Sequence, residues 1–205
     1  YMAMIDTVDE FVFLDSVQFA KRTWQQRNKI KTSNGEHWIS IPVKTKDCFS
    51  QNIKDAKIVD ANKSLSTILK TIKQSYAKAP YFQNVFEILE KSFVGHEESI
   101  CTLNINIISN FANYLQMDTL FSRSSKLKSK GVRAELLSEI CLEKGYTTYL
   151  SATGSREYIE ESDAFQRKSI EVIYHEFEHP VYDQLHSSFV PYLGFIDMLF
   201  NHNSK

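Results

Sequence analysis

Residues 15–28 hold Asp15, Gln18, Lys21, Arg22, Trp24, Arg27 and Asn28, a dense run of functional groups directly after the apolar segment Phe11-Val12-Phe13-Leu14. A carboxylate and an amide can orient ligand hydroxyls, three cations can neutralise an anionic group, and an indole can stack on a ring. Phosphoryl-type transfer asks for this kind of positioning and charge neutralisation rather than a covalent nucleophile. Asp15, Lys21 and Arg22 are the catalytic candidates here, and Gln18, Trp24, Arg27 and Asn28 the substrate-binding ones. The plain alternative is a solvated loop.

Three further clusters have related chemistry. Thr153, Gly154, Ser155, Arg156 and Tyr158 follow a β-branched and aromatic run, and a small-residue turn entering a helix presents backbone N–H groups to an anion. The alternative there is an ordinary helix cap, worth about 1 kcal/mol. His179, Tyr182 and Gln184 follow another apolar run, with His179 a candidate general base. The segment Ser122–Lys130 places four basic residues among serines, either to clamp phosphate or as a solvated, mobile loop.

The elements that must position these groups can be read from periodicity. A strand is expected at 11–15, because its apolar run is short and aromatic-rich. Asn34-Gly35 is a turn dipeptide, and 38–43 alternates like an edge strand limited by Pro42, with a further short strand near 53–59. Leu65, Ile68, Leu69, Ile72 and Tyr76 form one helical stripe, halted at Ala79-Pro80. Phe82, Val85, Phe86, Leu89 and Phe93 form the next, and Ile100, Leu103, Ile107, Ile108, Phe111 and Leu115 the third. The aromatic residues of these stripes read as core. Strands at 119–122, 147–150 and 171–177 then alternate with helices at 133–144, stopped by Gly145, and at 193–201. Such alternation predicts a Rossmann-like, mainly parallel α/β sheet with a helical insertion at about 62–117, all within one domain over 1–205. In an open sheet of that kind the polar clusters converge at the carboxyl ends of the strands, where ligands bind.

Composition narrows the function. The 205 residues are 42% hydrophobic and 24% charged, as in ordinary globular proteins. The net charge of −1 disfavours nucleic-acid binding, and no apolar stretch reaches membrane-spanning length. Cys48, Cys101 and Cys141 form no CxxC pair, which suggests a reducing cytoplasm. There is no GxGxxG, GxxxxGK[ST], GxSxG or HExxH motif, so the cofactor is unknown. His175-Glu176-Phe177-Glu178-His179 lacks an evident third ligand for a metal.

The run Asp9–Phe19 with Lys21-Arg22, Trp24 and Arg27-Asn28 resembles the signature of the WbqC-like protein family. Trp38–Val43, Lys78–Phe82, Thr148–Tyr158 and Phe189–Asn201 extend the resemblance in the same order. Members typically open with a Gln/His-Pro-x-Tyr-x-Pro segment leading into Gly-Tyr-Phe. Tyr1 falls at that tyrosine, so the preceding segment is expected to be missing here. The resemblance implies a bacterial, cytoplasmic protein of surface-polysaccharide (O-antigen type) biosynthesis. Its layout is similar to that of HIGH-type nucleotidylyltransferases. The expectation is a transferase acting on a nucleotide-activated sugar or acyl group. The alternative is a non-catalytic binding or scaffold protein of a polysaccharide-assembly complex. The expected partner is a nucleotide-sugar or other phosphorylated small molecule, with a homo-oligomer left open.

Overall fold

The computed structural model describes residues 1–48, 50–95, 98–186 and 188–202. The architecture is mixed α/β, and the chain divides into two units: residues 1–14 with 118–178, and residues 15–117 with 179–205.

The first unit is built from parallel strand pairs. Helix α1 (Met2–Asp6) leads into β1 (Glu10–Phe13), which pairs in parallel with β4 (Leu120–Arg123), so that Phe11 lies opposite Phe121. Edge-on and stacked ring contacts link Tyr1, Phe11, Phe13 and Phe121 at centroid separations of 5.3–6.5 Å. Helix α5 (Arg133–Lys144) ends at Gly145, whose φ of +78° closes the C-terminus in the left-handed conformation glycine adopts freely. Then β5 (Thr148–Ala152), the short helices α6 (Arg156–Glu160) and α7 (Ala164–Arg167), and β6 (Glu171–His175) make one β-α-β crossover with parallel strands. Ala134, Cys141, Ile159, Ala164, Phe165 and Ile170 form its core, with Tyr149 stacked on Phe165. Burial in that apolar setting pushes the Cys141 thiol up to about 11.

The second unit is a hairpin packed on helices. Strands β2 (Arg27–Thr32) and β3 (Gly35–Ser40) are antiparallel around Ser33-Asn34, with Gly35 at φ +93°. Helices α2 (Ala61–Tyr76), α3 (Phe82–Phe93) and α4 (Ile100–Tyr114) carry the three apolar stripes, and α8 (Phe195–Asn201) closes the core. Ile30, Leu65, Ile72, Val85, Leu89, Leu103, Phe111 and Phe200 are all buried. Phe200 stacks on Tyr76 and Phe82 at 4.5 and 5.9 Å.

Against the sequence-based expectations, the helices fall where the stripes place them, and several strands do not. The described strands form three two-stranded sheets, two parallel and one antiparallel, where one mainly parallel sheet was expected. Residues 27–32 are a strand although their pattern is charged, because Ile30 and Lys31 are both buried on it. The edge strand lies at 35–40, so Pro42 falls outside it. Residues 53–55 are a 3₁₀ turn rather than a strand, with isolated bridges Val43–Ile58 and Lys57–Ser99 beside it. No helix among the described residues is long and apolar enough to cross a membrane.

Candidate functional site

The segment after β1 begins inside the second unit. Asp15 is buried; its carbonyl accepts from Lys54 N–H at 3.0 Å, and Cys101 Sγ lies 4.0 Å from its carboxylate. Val17 and Phe19 pair with Ile53 and Gln51 through their backbones, and Gln18 bridges Asn52. The polar turn that follows is braced from within. Gln25 Oε1 accepts from Ala20 N–H at 2.9 Å, Gln26 Oε1 from Arg22 N–H at 3.3 Å, and Asn104 on α4 donates to the Gln25 carbonyl at 2.8 Å. Held in this way, Lys21 and Arg22 are exposed, with Arg22 at a left-handed φ of 59°.

Next to that turn the hairpin forms an aromatic platform. Trp24 and Trp38 lie with ring centroids 5.2 Å apart, 62% and 38% exposed. The Arg27 guanidinium sits 4.3 Å from the Trp38 centroid and Lys29 Nζ 5.1 Å from it, a cation–π arrangement. Lys29 also pairs with Glu36 at 2.8 Å. Arg27 Nε is buried with no hydrogen-bond partner among the described residues. Trp24 and Arg27 were legible as candidates; Trp38 and Lys29 were not, because the cross-strand register that opposes Lys29 to Trp38 is a property of the hairpin. Asn28 is turned elsewhere: its Oδ1 accepts from Lys29 N–H at 2.8 Å, and its amide lies against Gly194.

A second set of groups is buried in the same unit. Asp197 on α8, fully buried, accepts from Tyr76 Oη at 2.6 Å and from Tyr182 Oη at 2.9 Å. Tyr76 Oη in turn accepts from Lys31 N–H at 2.9 Å. The Lys31 ammonium, also buried, donates to Gln184 Oε1 at 3.1 Å, to the His186 carbonyl at 3.3 Å and to the Ser188 carbonyl. Burial pushes the Asp197 carboxyl above the usual range, opposed by the two tyrosine hydroxyls. Burial and the adjoining carboxylate raise the Tyr76 phenol strongly. Tyr182 and Gln184 therefore join Lys31, Tyr76 and Asp197 in a network that fastens Tyr182, Gln184, His186 and Ser188 to α2, α8 and the hairpin. The available sequence signal was Asp197 itself, an ionisable residue on the apolar face of Phe195–Asn201.

His179 lies among Tyr182, Phe189 and Tyr192, with Tyr192 nearest at a centroid distance of 4.8 Å. Its Nδ1 is 2.8 Å from the Pro180 carbonyl, and its Nε2 accepts from Tyr192 N–H at 3.0 Å. Both contacts are met by one tautomer, with the proton on Nδ1.

In the first unit, Thr153–Ser155 form a 3₁₀ turn in which Thr153 and Gly154 are exposed. Arg156 pairs with Glu160 at 3.3 Å and lies 4.0 Å from the Tyr174 ring centroid, while Tyr158 packs on the core cluster. The basic segment is tethered. Lys128 N–H and Ser129 N–H donate to the Glu143 carboxylate at 2.7–2.9 Å, and Ser129 Oγ does so as well. The Lys128 N–H leads the contacts that hold Glu143 below the usual carboxylate range. An internal carboxylate thus occupies the N–H groups of the 128–129 turn, while Lys126, Lys128 and Lys130 are exposed, in keeping with a solvated loop.

No solved structure matches the chain significantly. It is similar to uncharacterized protein Rv1507c of Mycobacterium tuberculosis, 29% identical over 203 residues, covering 98% of this chain and 87% of that protein. The model of the WbqC-like protein family matches residues 1–205, and the chain belongs to that family.

Proposed function

We propose that this protein is a transferase of bacterial surface-polysaccharide biosynthesis, working in the cytoplasm on a nucleotide-activated sugar or acyl group. The observation that carries the reading is the exposed Trp24–Trp38 pair with Arg27 and Lys29 against it. A nucleotide offers a flat ring and a phosphate anion together, and this platform offers indole faces and cations together. Lys21 and Arg22, exposed on the adjoining turn, add charge for the leaving phosphate. Asp15, buried at the start of this segment, has a positioning role in this reading.

Both tryptophans of the protein are at the platform, so binding is readable by intrinsic fluorescence. Quenching by a nucleotide or nucleotide-sugar is expected to saturate, and Trp24→Ala to weaken binding roughly tenfold or more, the loss of one stacked ring. A broad nucleotide panel that neither quenches nor raises the melting temperature would refute the reading.

A non-catalytic binding protein of the same assembly is the second reading. It is favoured by His179, whose ring nitrogens are both engaged, and by the burial of Asp15. Nucleotide-sugar binding without turnover, in the presence of cell-wall acceptors, would select it.

A further inference from the structure

A cleft of about 610 Å³ opens between the hairpin turn and the last turns of α2. Thr32, Ser33, Asn34 and His37 line it from the hairpin, and Thr71, Gln74, Ser75 and Lys78 from α2 and its end, with Leu185 and His186 on the third side. Its size falls in the range of small-molecule sites. It is distinct from the tryptophan platform: His37 and Trp38 are consecutive on β3, so their side chains leave opposite faces. The lining contains hydroxyls, amides, imidazoles and the Lys78 ammonium, with no carboxylate.

The hydroxyl protons decide what this cleft can hold. Thr71 Oγ1 donates to the Thr67 carbonyl and Ser75 Oγ to the Thr71 carbonyl, both at 2.9 Å. Thr32 Oγ1 donates to the Gly35 carbonyl at 3.1 Å. With those protons committed to backbone, the three oxygens can meet a ligand only as acceptors. A phosphate or carboxylate presents only acceptors and would leave these three hydroxyl oxygens without a donor. A ligand with many O–H groups supplies the donors required, while Asn34, Gln74 and Lys78 supply donors to its oxygens. The third wall is fixed in place: the buried Lys31 ammonium holds the His186 and Ser188 carbonyls inward, and His186 keeps a left-handed φ of 67°. A strained backbone over-determined by its surroundings is characteristic of ligand-binding walls.

We infer that this cleft is a binding site for an uncharged, polyhydroxylated sugar ring, separate from the platform. The site takes an unphosphorylated saccharide unit whose hydroxyls donate to Thr71, Ser75 and Thr32.

The test is amide chemical-shift mapping on the intact chain with glucose, galactose and N-acetylglucosamine. Glycerol and inorganic phosphate serve as the comparison probes. At least one sugar is expected to shift residues 32–37, 71–78 and 185–186 saturably. Thr71→Val and Ser75→Ala, both tolerated in a helix, are each expected to weaken that sugar about fivefold, the loss of one acceptor. Trp38→Ala is expected to leave it unchanged, which separates this site from the nucleotide platform. The inference is overturned if none of the three sugars shifts these residues. It is equally overturned if glycerol or phosphate shifts them as strongly, or if Thr71→Val and Ser75→Ala bind as well as the parent.

Discussion

The two units of this protein differ in how they treat charge, although both carry surface ion pairs, Lys29–Glu36 and Lys57–Glu98 among those of the second. In the unit of residues 1–14 and 118–178, acidic groups meet cations or N–H donors, Glu135 and Glu143 at the surface and Glu10 with a buried side chain beside the more exposed Lys144. Glu10 pairs with Lys144 at 2.7 Å, Glu135 with Arg167 and Lys168 at 2.9 and 2.7 Å, and Glu143 takes the 128–129 turn. In the unit of residues 15–117 and 179–205, a carboxylate and an ammonium, Asp197 and Lys31, are sealed inside, and the half-buried cations Arg27 and Lys29 lie on an indole. Exposed ion pairs contribute little to stability because water screens both partners. Buried polar groups are costly unless every donor and acceptor is met, so they fix one arrangement of the chain. The second unit therefore has a rigid scaffold under an exposed, cation-rich ring surface, which is what a binding site needs.

The strongest way to break this contrast is Asp197→Ala. It strands the Tyr76 and Tyr182 hydroxyls in the core and leaves the buried Lys31 without its nearby anion. A loss of roughly 3 kcal/mol or more is expected. It is readable as a lower urea midpoint by tryptophan fluorescence, since both tryptophans are in this unit. A change within the noise would mean that the network is ornamental.

A smaller effect is expected from Gly194→Ala. The residue has φ −57°, so its backbone tolerates a side chain, but a Cβ would stand 3.0 Å from Asn28 Cγ and Oδ1. Crowding there, just before α8, should destabilise by about 1 to 2 kcal/mol. Asn28→Gly should restore most of it, and failure of that rescue would point to the backbone instead.

The smallest and most discriminating effect is the sign of the pH response. Glu10 is held below the ordinary carboxylate range, with burial opposing and the Lys144 ammonium leading the contacts that lower it. Its contribution is present above the ordinary carboxylate value and is lost as pH falls through its depressed folded value. Asp197 is shifted upward by burial, so the folded state binds its proton more tightly than the unfolded chain does. Its ionisation weighs against folding at neutral pH, and that penalty is relieved as pH falls through its raised value. Hydrogen exchange followed from pH 7 to below the carboxylate range should show Glu10→Gln flattening the acid loss in the first unit. Asp197→Asn should flatten an opposite slope in the second. Equal slopes of the same sign would erase the distinction.

How much was legible in the sequence can be judged residue by residue. The stripe Leu65, Ile68, Ile72 and Tyr76 was readable because a helix buries one face at fixed spacing, and all four are buried. The stop at Gly145 was readable because left-handed backbone selects glycine. The hairpin strand Arg27–Thr32 was not, because its alternation is masked by lysines, one of which is buried by partners more than 150 positions away in Gln184 and His186. Trp24 and Arg27 could be named as candidates from local composition; that Trp38 completes their surface depended on strand register.

By itself, then, the sequence determined the helices, the parallel β-α-β crossover and the wealth of binding groups after Phe13, since each follows from local periodicity or residue type. Tertiary structure alone decided which of those groups are accessible. Trp24 stays exposed, Asp15 is buried, and Lys31, Tyr76 and Asp197 meet inside. Burial is a property of what the rest of the chain brings alongside, and no window of neighbouring residues contains it.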